Sequence, residues 1–124
     1  MRLLQEFMAA LQRLLEKKEA TTRQAEIKKL YEQYVGPYAF YHVCTTADLM
    51  KAVAGIPAEK RRAKTEMLAE LYYTEAQWVS KPERDQLLDK AYALFDLLES
   101  EGTEFSFDRH SKMDAIRAIR SGKA

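Results

Sequence analysis

His42, Cys44 and His110 are the residues whose side chains could most directly act as nucleophile, base or metal ligand. A reactive thiol needs a neighbouring base or positive charge, and a metal site needs carboxylate or thiol partners at ligand spacing. His42 and Cys44 are two positions apart, which is not the spacing of a ligand pair on a helix, and their neighbours are aromatic or apolar. We therefore predict a buried, inert Cys44, ordinary histidines and no metal site.

Carboxylate pairs are the next candidates for chemistry. Glu99 lies near Glu101, and Glu104 lies near Asp108. Acid–base catalysis needs a pocket that perturbs the pKa values of such groups. At helix ends we expect them to be solvated charges. Since the sequence also has no Gly-rich phosphate loop, no G-x-S-x-G and no H-E-x-x-H, we predict a non-enzymatic protein without catalytic residues or cofactors.

Residues 46–64 resemble a helix-turn-helix motif with a basic second helix, which would read the major groove of DNA. When Gly55 is aligned with the glycine of the turn, Lys51 stands where the first helix needs a small residue. Arg61 and Lys64 stand where the second helix needs apolar ones. The formal net charge is only +1, whereas nucleic-acid binders usually show a strong basic excess. A DNA-binding regulator is therefore the alternative interpretation, and nucleic acid is not our expected partner.

Aromatic residues give the best lead to a function. Tyr and Trp are favoured at interfaces because they bury a large area and keep a polar tip. Tyr72 and Tyr73 are adjacent, so on a helix they cannot face the same side. We predict that Tyr72 is in the core and that Tyr73, Trp78 and Tyr92 form part of a surface that binds a partner, with the remaining aromatic residues as core or boundary positions.

The composition indicates a single all-α domain over residues 1–124. Hydrophobic residues make up 47% of the chain, which is far too many for disorder. Only four glycines and three prolines are present, and Ala, Leu, Glu, Lys and Gln are frequent, which favours helices with short connections.

The same composition indicates a compartment. One cysteine cannot form an internal disulfide, so we expect a reducing compartment such as the cytoplasm. The apolar residues at the N-terminus are interrupted by Gln5, Glu6 and Gln12, which is not typical of a signal peptide. No apolar run is long enough for a membrane helix.

Apolar spacing and capping residues predict about five to six helices. Their predicted ranges are about 2–18, 21–36, 46–54, 57–79, 83–102 and 107–120. Thr21 with Gln24 and Ser80 with Glu83 have capping-box spacing, and Ser106 is a candidate cap. Residues 38–44 are ambiguous: a strand is possible on propensity, and we interpret them as an extended or helical linker that covers the core.

The first predicted helix has an unusually wide apolar stripe. It consists of Leu4, Phe7, Met8, Leu11, Leu14 and Leu15. One hairpin could leave part of this stripe uncovered, and self-association would bury the excess. We therefore expect a homodimer.

Two segments resemble halves of the tetratricopeptide repeat, TPR. Leu68–Tyr72 resembles L-G-x-x-Y, with Ala69 in place of glycine, and Ala91–Phe95 resembles A-x-x-x-F. The small residues Ala69 and Ala91 would let two helices approach closely. Tyr72 and Ala91 are far apart for this motif, which predicts a longer helix or an insertion in the connection.

The chain also resembles a family of small bacterial helical proteins. The stretches Lys64–Tyr73 and Thr103–Arg109 carry this resemblance, which covers the second half of the chain. It implies a TPR-like fold and no particular activity. The sequence as a whole predicts antiparallel helical hairpins in a TPR-like bundle, acting as a protein–protein interaction or scaffold module.

Overall fold

The computed structural model describes residues 2–17, 19–102 and 104–122. These residues form seven helices and no strand. The helices are α1 (Arg2–Leu15), α2 (Ala20–Tyr34), α3 (Tyr38–Val43), α4 (Thr46–Ala54), α5 (Ala58–Ala76), α6 (Glu83–Glu101) and α7 (Phe107–Arg120). The all-α prediction is confirmed. Among the described residues, no helix combines the length and apolar character that crossing a bilayer requires.

Helix α5 is the centre of the bundle, because α1, α2, α4 and α6 all pack against it. From Ala63 to Ala76 nearly every residue is buried. A helix surrounded in this way has no solvent face to carry its polar residues. As a result Thr65, Glu70 and Glu75 are buried together with the predicted core residues.

Helices α5 and α6 form a long antiparallel pair. The Tyr73 ring contacts the Phe95 ring at a centroid distance of 6.4 Å. Near the other end of the pair, Gly102 approaches the Arg62 guanidinium so closely that a β-carbon would lie 2.8 Å from it. The first residues of α5 therefore lie near the end of α6, and Tyr73, late in α5, lies against a residue nearer the middle of α6. Ala69 and Ala91 are both fully buried in this pair.

Helix α3 corresponds to the helical alternative predicted for residues 38–44, but it raises the number of helices above the prediction. Residues 38–43 form a helix, so the described chain has seven helices rather than five to six. Such a short helix is not stable alone. It is fixed here by tertiary contacts: Tyr41 is buried, and the Tyr72 hydroxyl donates a 2.6 Å hydrogen bond to the Tyr41 carbonyl.

Helix starts were only partly predicted. The Ser106 hydroxyl accepts a hydrogen bond from the Arg109 amide and caps α7 as expected. The two capping boxes were wrong. Helix α2 already begins at Ala20, which places Thr21 inside the helix, and α6 begins after Pro82 without a side-chain cap from Ser80.

Helix α1 buries half of its predicted apolar stripe. Phe7, Leu11 and Leu14 are in the core, whereas Met8 is 39% and Leu15 is 48% exposed. The prediction that this stripe exceeds what one chain covers is confirmed. Helix α1 ends at Leu15 rather than near residue 18.

Two positions used in the predictions lie outside the described residues. They are Lys18, at the predicted end of the first helix, and Thr103, in the second stretch that resembles the bacterial family.

Candidate functional site

A buried carboxylate lies where α2, α3 and α5 meet. Glu75, near the end of α5, is only 1% exposed. The Tyr31 hydroxyl donates to its Oε1 at 2.8 Å, and the Tyr38 hydroxyl donates to its Oε2 at 2.6 Å. A buried charge is tolerated only when it is paired and hydrogen-bonded. The two tyrosines thus hold Glu75 in a fixed orientation.

The His42 imidazole lies between this carboxylate and a second one. Its Nδ1 is 3.1 Å from Glu75 Oε2, and its Nε2 is 2.8 Å from Glu83 Oε2. The ring stacks on Tyr38 with the centroids 4.8 Å apart. The buried Nδ1 makes no hydrogen bond within the described chain. We name Tyr31, Tyr38, His42, Glu75 and Glu83 the Glu75 centre.

The tyrosines of this centre remain protonated over a wide pH range. Burial raises the pKa of Tyr31 well above its ordinary value, and the adjacent Glu75 raises it further. The pKa of Tyr38 is also raised, first by burial and then by its hydrogen bond to Glu75. Both hydroxyls therefore stay available as donors to the carboxylate.

Lys90 of α6 holds α3 in position beside the Glu75 centre. Its buried ammonium donates to the carbonyls of Tyr41, His42 and Cys44 at 3.0, 2.9 and 3.1 Å, and it lies 4.8 Å from the centroid of the Tyr72 ring. These are carbonyls at the C-terminal end of α3, where a positive charge is favourable. Burial lowers the pKa of Lys90.

The Glu75 centre offers ligands for a metal ion. Each of three side chains offers one ligand atom, and these three atoms lie within 4.8 Å of one another; the residues are His42, Glu75 and Glu83. Sequence reasoning missed this group because it considered only near neighbours of His42, and the two glutamates are far away along the chain. A signal was present, since Glu75 falls at helical spacing from the predicted core residues Leu68, Leu71 and Tyr72. A charge at a core position calls for a partner.

A groove on the opposite side of α5 is the second candidate site. Helix α1 and the first turns of α7 form its walls, and α5 and α6 form its floor. It consists of two cavities of about 190 and 330 Å³, which share Met8, Glu70 and Asp108. We name it the α1–α7 groove. Its other lining residues include Leu4, Gln12, Leu15, Glu66, Tyr73, Arg109 and Lys112.

An ion pair crosses the α1–α7 groove. The Lys112 ammonium lies 2.5 Å from Glu70 Oε1 and 2.9 Å from Asp108 Oδ2. Burial raises the pKa of Glu70, and Lys112 partly offsets that increase. The groove is therefore apolar along α1 and charged along α7.

A second histidine–glutamate pair lies at the end of α6. The Glu99 carboxylate accepts from Arg109 Nε at 2.5 Å and lies 2.9 Å from His110 Nε2. We name these three residues the Glu99 cluster. Hydrogen bonding from Arg109, and then from His110, lowers the pKa of Glu99. Glu99 is thus engaged by a guanidinium rather than simply solvated, as the sequence had suggested.

The three predicted partner-binding residues occupy different places. Tyr73 lines the α1–α7 groove, where the Lys112 ammonium lies 5.6 Å from its ring centroid. Trp78 follows α5 and has the Arg23 guanidinium 5.0 Å above its ring. Tyr92 lies between α6 and α7, and its hydroxyl accepts a hydrogen bond from Arg117. The structure does not bring the three into one surface.

In the predicted helix-turn-helix segment, two of the basic residues, Arg61 and Arg62, contact neighbouring groups. The Arg61 guanidinium donates to the Ala54 carbonyl at 3.2 Å and to the Ile56 carbonyl at 2.9 Å, so it caps the end of α4. Arg62 pairs with Glu66 at 3.7 Å.

Cys44 is half-buried beside Tyr41 and Tyr72. Its Sγ lies 3.5 Å from the Tyr41 carbonyl.

Comparison of the chain with models of protein families, with curated proteins and with solved structures finds no match.

Proposed function

We propose that the chain is a non-enzymatic protein–protein interaction module whose binding surface is the α1–α7 groove. The observation that supports this most directly is the exposed apolar part of α1. Met8 and Leu15 line the groove and are 39% and 48% exposed, although neighbouring α1 residues are fully buried. A helix normally turns such residues towards a partner surface.

The proposed occupant is a second copy of this chain. The charged residues of the groove are three acids and two bases, so its lining has a net charge of −1. Helix α1 has two arginines and one glutamate, a net charge of +1. In a two-fold dimer the α1 of each copy would lie against the groove of the other, which pairs apolar with apolar surface and opposite charges.

Light scattering after size exclusion, over a range of protein concentrations, tests this proposal. We expect a dimer whose mass falls to that of a monomer in Met8→Glu/Leu15→Glu. Phe40→Glu is the matched control, because Phe40 is 41% exposed but lies on α3, away from the groove. A wild-type chain that is monomeric at the highest concentration contradicts self-association, and equal disruption by the control contradicts the location.

Tyr73 belongs to this proposed surface, because its ring is part of the groove floor. A contribution of Trp78 and Tyr92 to partner binding remains a prediction. Alanine variants of all three residues, measured in the same assay, would show how much each contributes to dimer formation. We expect Tyr73→Ala to weaken the dimer most.

We also propose that α5 and α6 form a TPR-like hairpin of the kind implied for the bacterial family that the chain resembles. Full burial of Ala69 and Ala91, with Tyr72 and Phe95 beside them, supports this arrangement. The single thiol, Cys44, supports a reducing compartment such as the cytoplasm.

DNA binding by residues 46–64 is the alternative, and it stays a prediction. An anisotropy titration with non-specific duplex at low salt would test it. Absence of binding at tens of micromolar would exclude it, since non-specific DNA binding typically has a dissociation constant of about 1–100 μM at physiological salt and is tighter at low salt.

A further inference from the structure

We propose that His42, Glu75 and Glu83 form a binding site for a divalent transition-metal ion of the zinc type. The three side chains come from α3, α5 and α6, and one ligand atom of each lies within 4.8 Å of the others. Ligand atoms about 2.1 Å from a tetrahedral zinc ion lie about 3.4 Å from one another. Nδ1 faces Glu75 and Nε2 faces Glu83, so an ion bound at Nδ1 would meet Glu75 directly, and the exposed Glu83 side chain would turn away from Nε2 to reach it.

One ring nitrogen of His42 lacks a partner in the described part of the chain. His42 Nδ1 is buried and makes no hydrogen bond with any described residue. A buried polar atom without a partner is costly, and such atoms are rare in folded proteins. An ion at this centre would remove the cost.

The two carboxylates of the site have no lysine or arginine partner among the described residues. Glu75 accepts hydrogen bonds from Tyr31 and Tyr38, which fix its orientation as outer-sphere partners fix a metal ligand. Among the described residues, neither Glu75 nor Glu83 forms an ion pair with lysine or arginine. The nearby Lys90 ammonium donates to backbone carbonyls instead. Two negative charges are thus left for a dication to neutralise.

The site is partly open to solvent, and its ligand types indicate which ion it would bind. The Glu83 side chain is 45% exposed and that of His42 is 20% exposed, so an ion can enter from the solvent and reach the buried Glu75. An imidazole with two carboxylates favours ions such as Zn²⁺ over Mg²⁺, which prefers an all-oxygen octahedral site. Three protein ligands leave one position of a tetrahedral ion for water.

Calorimetric titration of the chelator-treated full chain with Zn²⁺ tests the site, and Mg²⁺ is titrated in parallel. We expect one Zn²⁺ per chain with a dissociation constant below about 10 μM and no competition from Mg²⁺. Co²⁺ should then give the visible absorption bands of a tetrahedral complex, and Zn²⁺ should remove them.

Glu83→Gln is the main variant, because its exposed position in the first turn of α6 keeps the fold intact, which circular dichroism would verify. We expect its Zn²⁺ affinity to fall by at least about tenfold, as even outer-sphere ligand partners contribute that much. His110→Ala is the matched control: His110 also lies beside a glutamate, but Arg109 engages that carboxylate. Weaker wild-type binding than about 10 μM, or an equal loss in both variants, would overturn the proposal.

Discussion

The Glu75 centre and the Glu99 cluster use the same pair of residue types in opposite ways. In each, a histidine nitrogen lies about 3 Å from a glutamate oxygen. Glu99 also accepts from the Arg109 guanidinium, so its charge is neutralised within the protein. Glu75 instead accepts from two neutral tyrosines, and a second carboxylate, Glu83, approaches the same imidazole.

The two regions also differ in how deeply their carboxylates are buried. In the Glu99 cluster the Arg109 side chain is 9% exposed, but the Glu99 side chain is 25% exposed, so water reaches the carboxylate and weakens its charge interactions. The Glu75 centre lies where α2, α3 and α5 meet, with a carboxylate that is 1% exposed. Excess negative charge at such a depth needs a compensating proton or cation. The two regions should therefore respond differently to mutation and to pH.

Removal of the two carboxylates should give the largest contrast. Glu75→Ala leaves the hydroxyls of Tyr31 and Tyr38 without their acceptor, and we expect the free energy of unfolding to fall by roughly 3 kcal/mol. Glu99→Ala should cause a smaller loss, because Glu99 is 25% exposed and its removal lets water reach the Arg109 guanidinium. Urea unfolding at neutral pH measures both. Equal losses would show that burial does not separate the two regions.

The Lys90 contacts give the next largest expected effect. Lys90→Met keeps the aliphatic stem but removes three hydrogen bonds to the carbonyls of Tyr41, His42 and Cys44. We expect a loss of about 1–3 kcal/mol in the free energy of unfolding. Amide hydrogen exchange should also accelerate in residues 38–43 more than elsewhere. Unchanged exchange in α3 would mean that Lys90 does not hold this helix.

The same two regions show how much of the molecule can be predicted from sequence. The long helices follow from apolar spacing, and the Ser106 cap follows from local hydrogen bonding. Both depend on residues that are close along the chain. The wide stripe of α1 also predicted that part of it would stay uncovered, and the structure shows that the exposed residues include Met8 and Leu15.

The features that the sequence left open or did not predict depend on distant residues. Helix α3 owes its stability to Tyr72 and Lys90, which are 31 and 49 positions from their shared acceptor on Tyr41. The Glu75 centre likewise combines side chains from four helices. Helical spacing places Glu75 and Lys90 on core faces, but it cannot say which partner each charge meets there. Only the packing of α3 against α5 and α6 determines that.

At alkaline pH the free energy of unfolding should depend on the buried tyrosines more than on those at the surface. The pKa values of Tyr31, Tyr38 and Tyr72 are raised in the folded state above the ordinary value of 10.0, so their contribution to stability is complete below about pH 10. Above that pH the unfolded tyrosines ionise first, and the free energy of unfolding should fall. The lowered pKa of Lys90 acts in the opposite direction but involves one group.

Tyr38→Phe tests this assignment. The variant should show a shallower fall in the free energy of unfolding between pH 9 and pH 11 (roughly the range around the tyrosine pKa) than the wild type. Tyr92→Phe, whose hydroxyl contacts Arg117 at the surface, is the control and should leave the slope closer to that of the wild type. A larger change in the control would locate the alkaline sensitivity outside the Glu75 centre.

Acid pH should give the smallest effect, and it should come from the Glu99 cluster. Arg109, and then His110, lower the folded-state pKa of Glu99 below its ordinary value of 4.5. A depressed pKa gives stability that is present above about pH 4.5 and is lost as the pH falls. The urea midpoints of wild type and Glu99→Gln should therefore differ at pH 6 and converge below pH 4 (roughly the carboxyl range). A difference that stays constant with pH would mean that Glu99 acts through packing rather than charge, and salt should weaken only a charge effect.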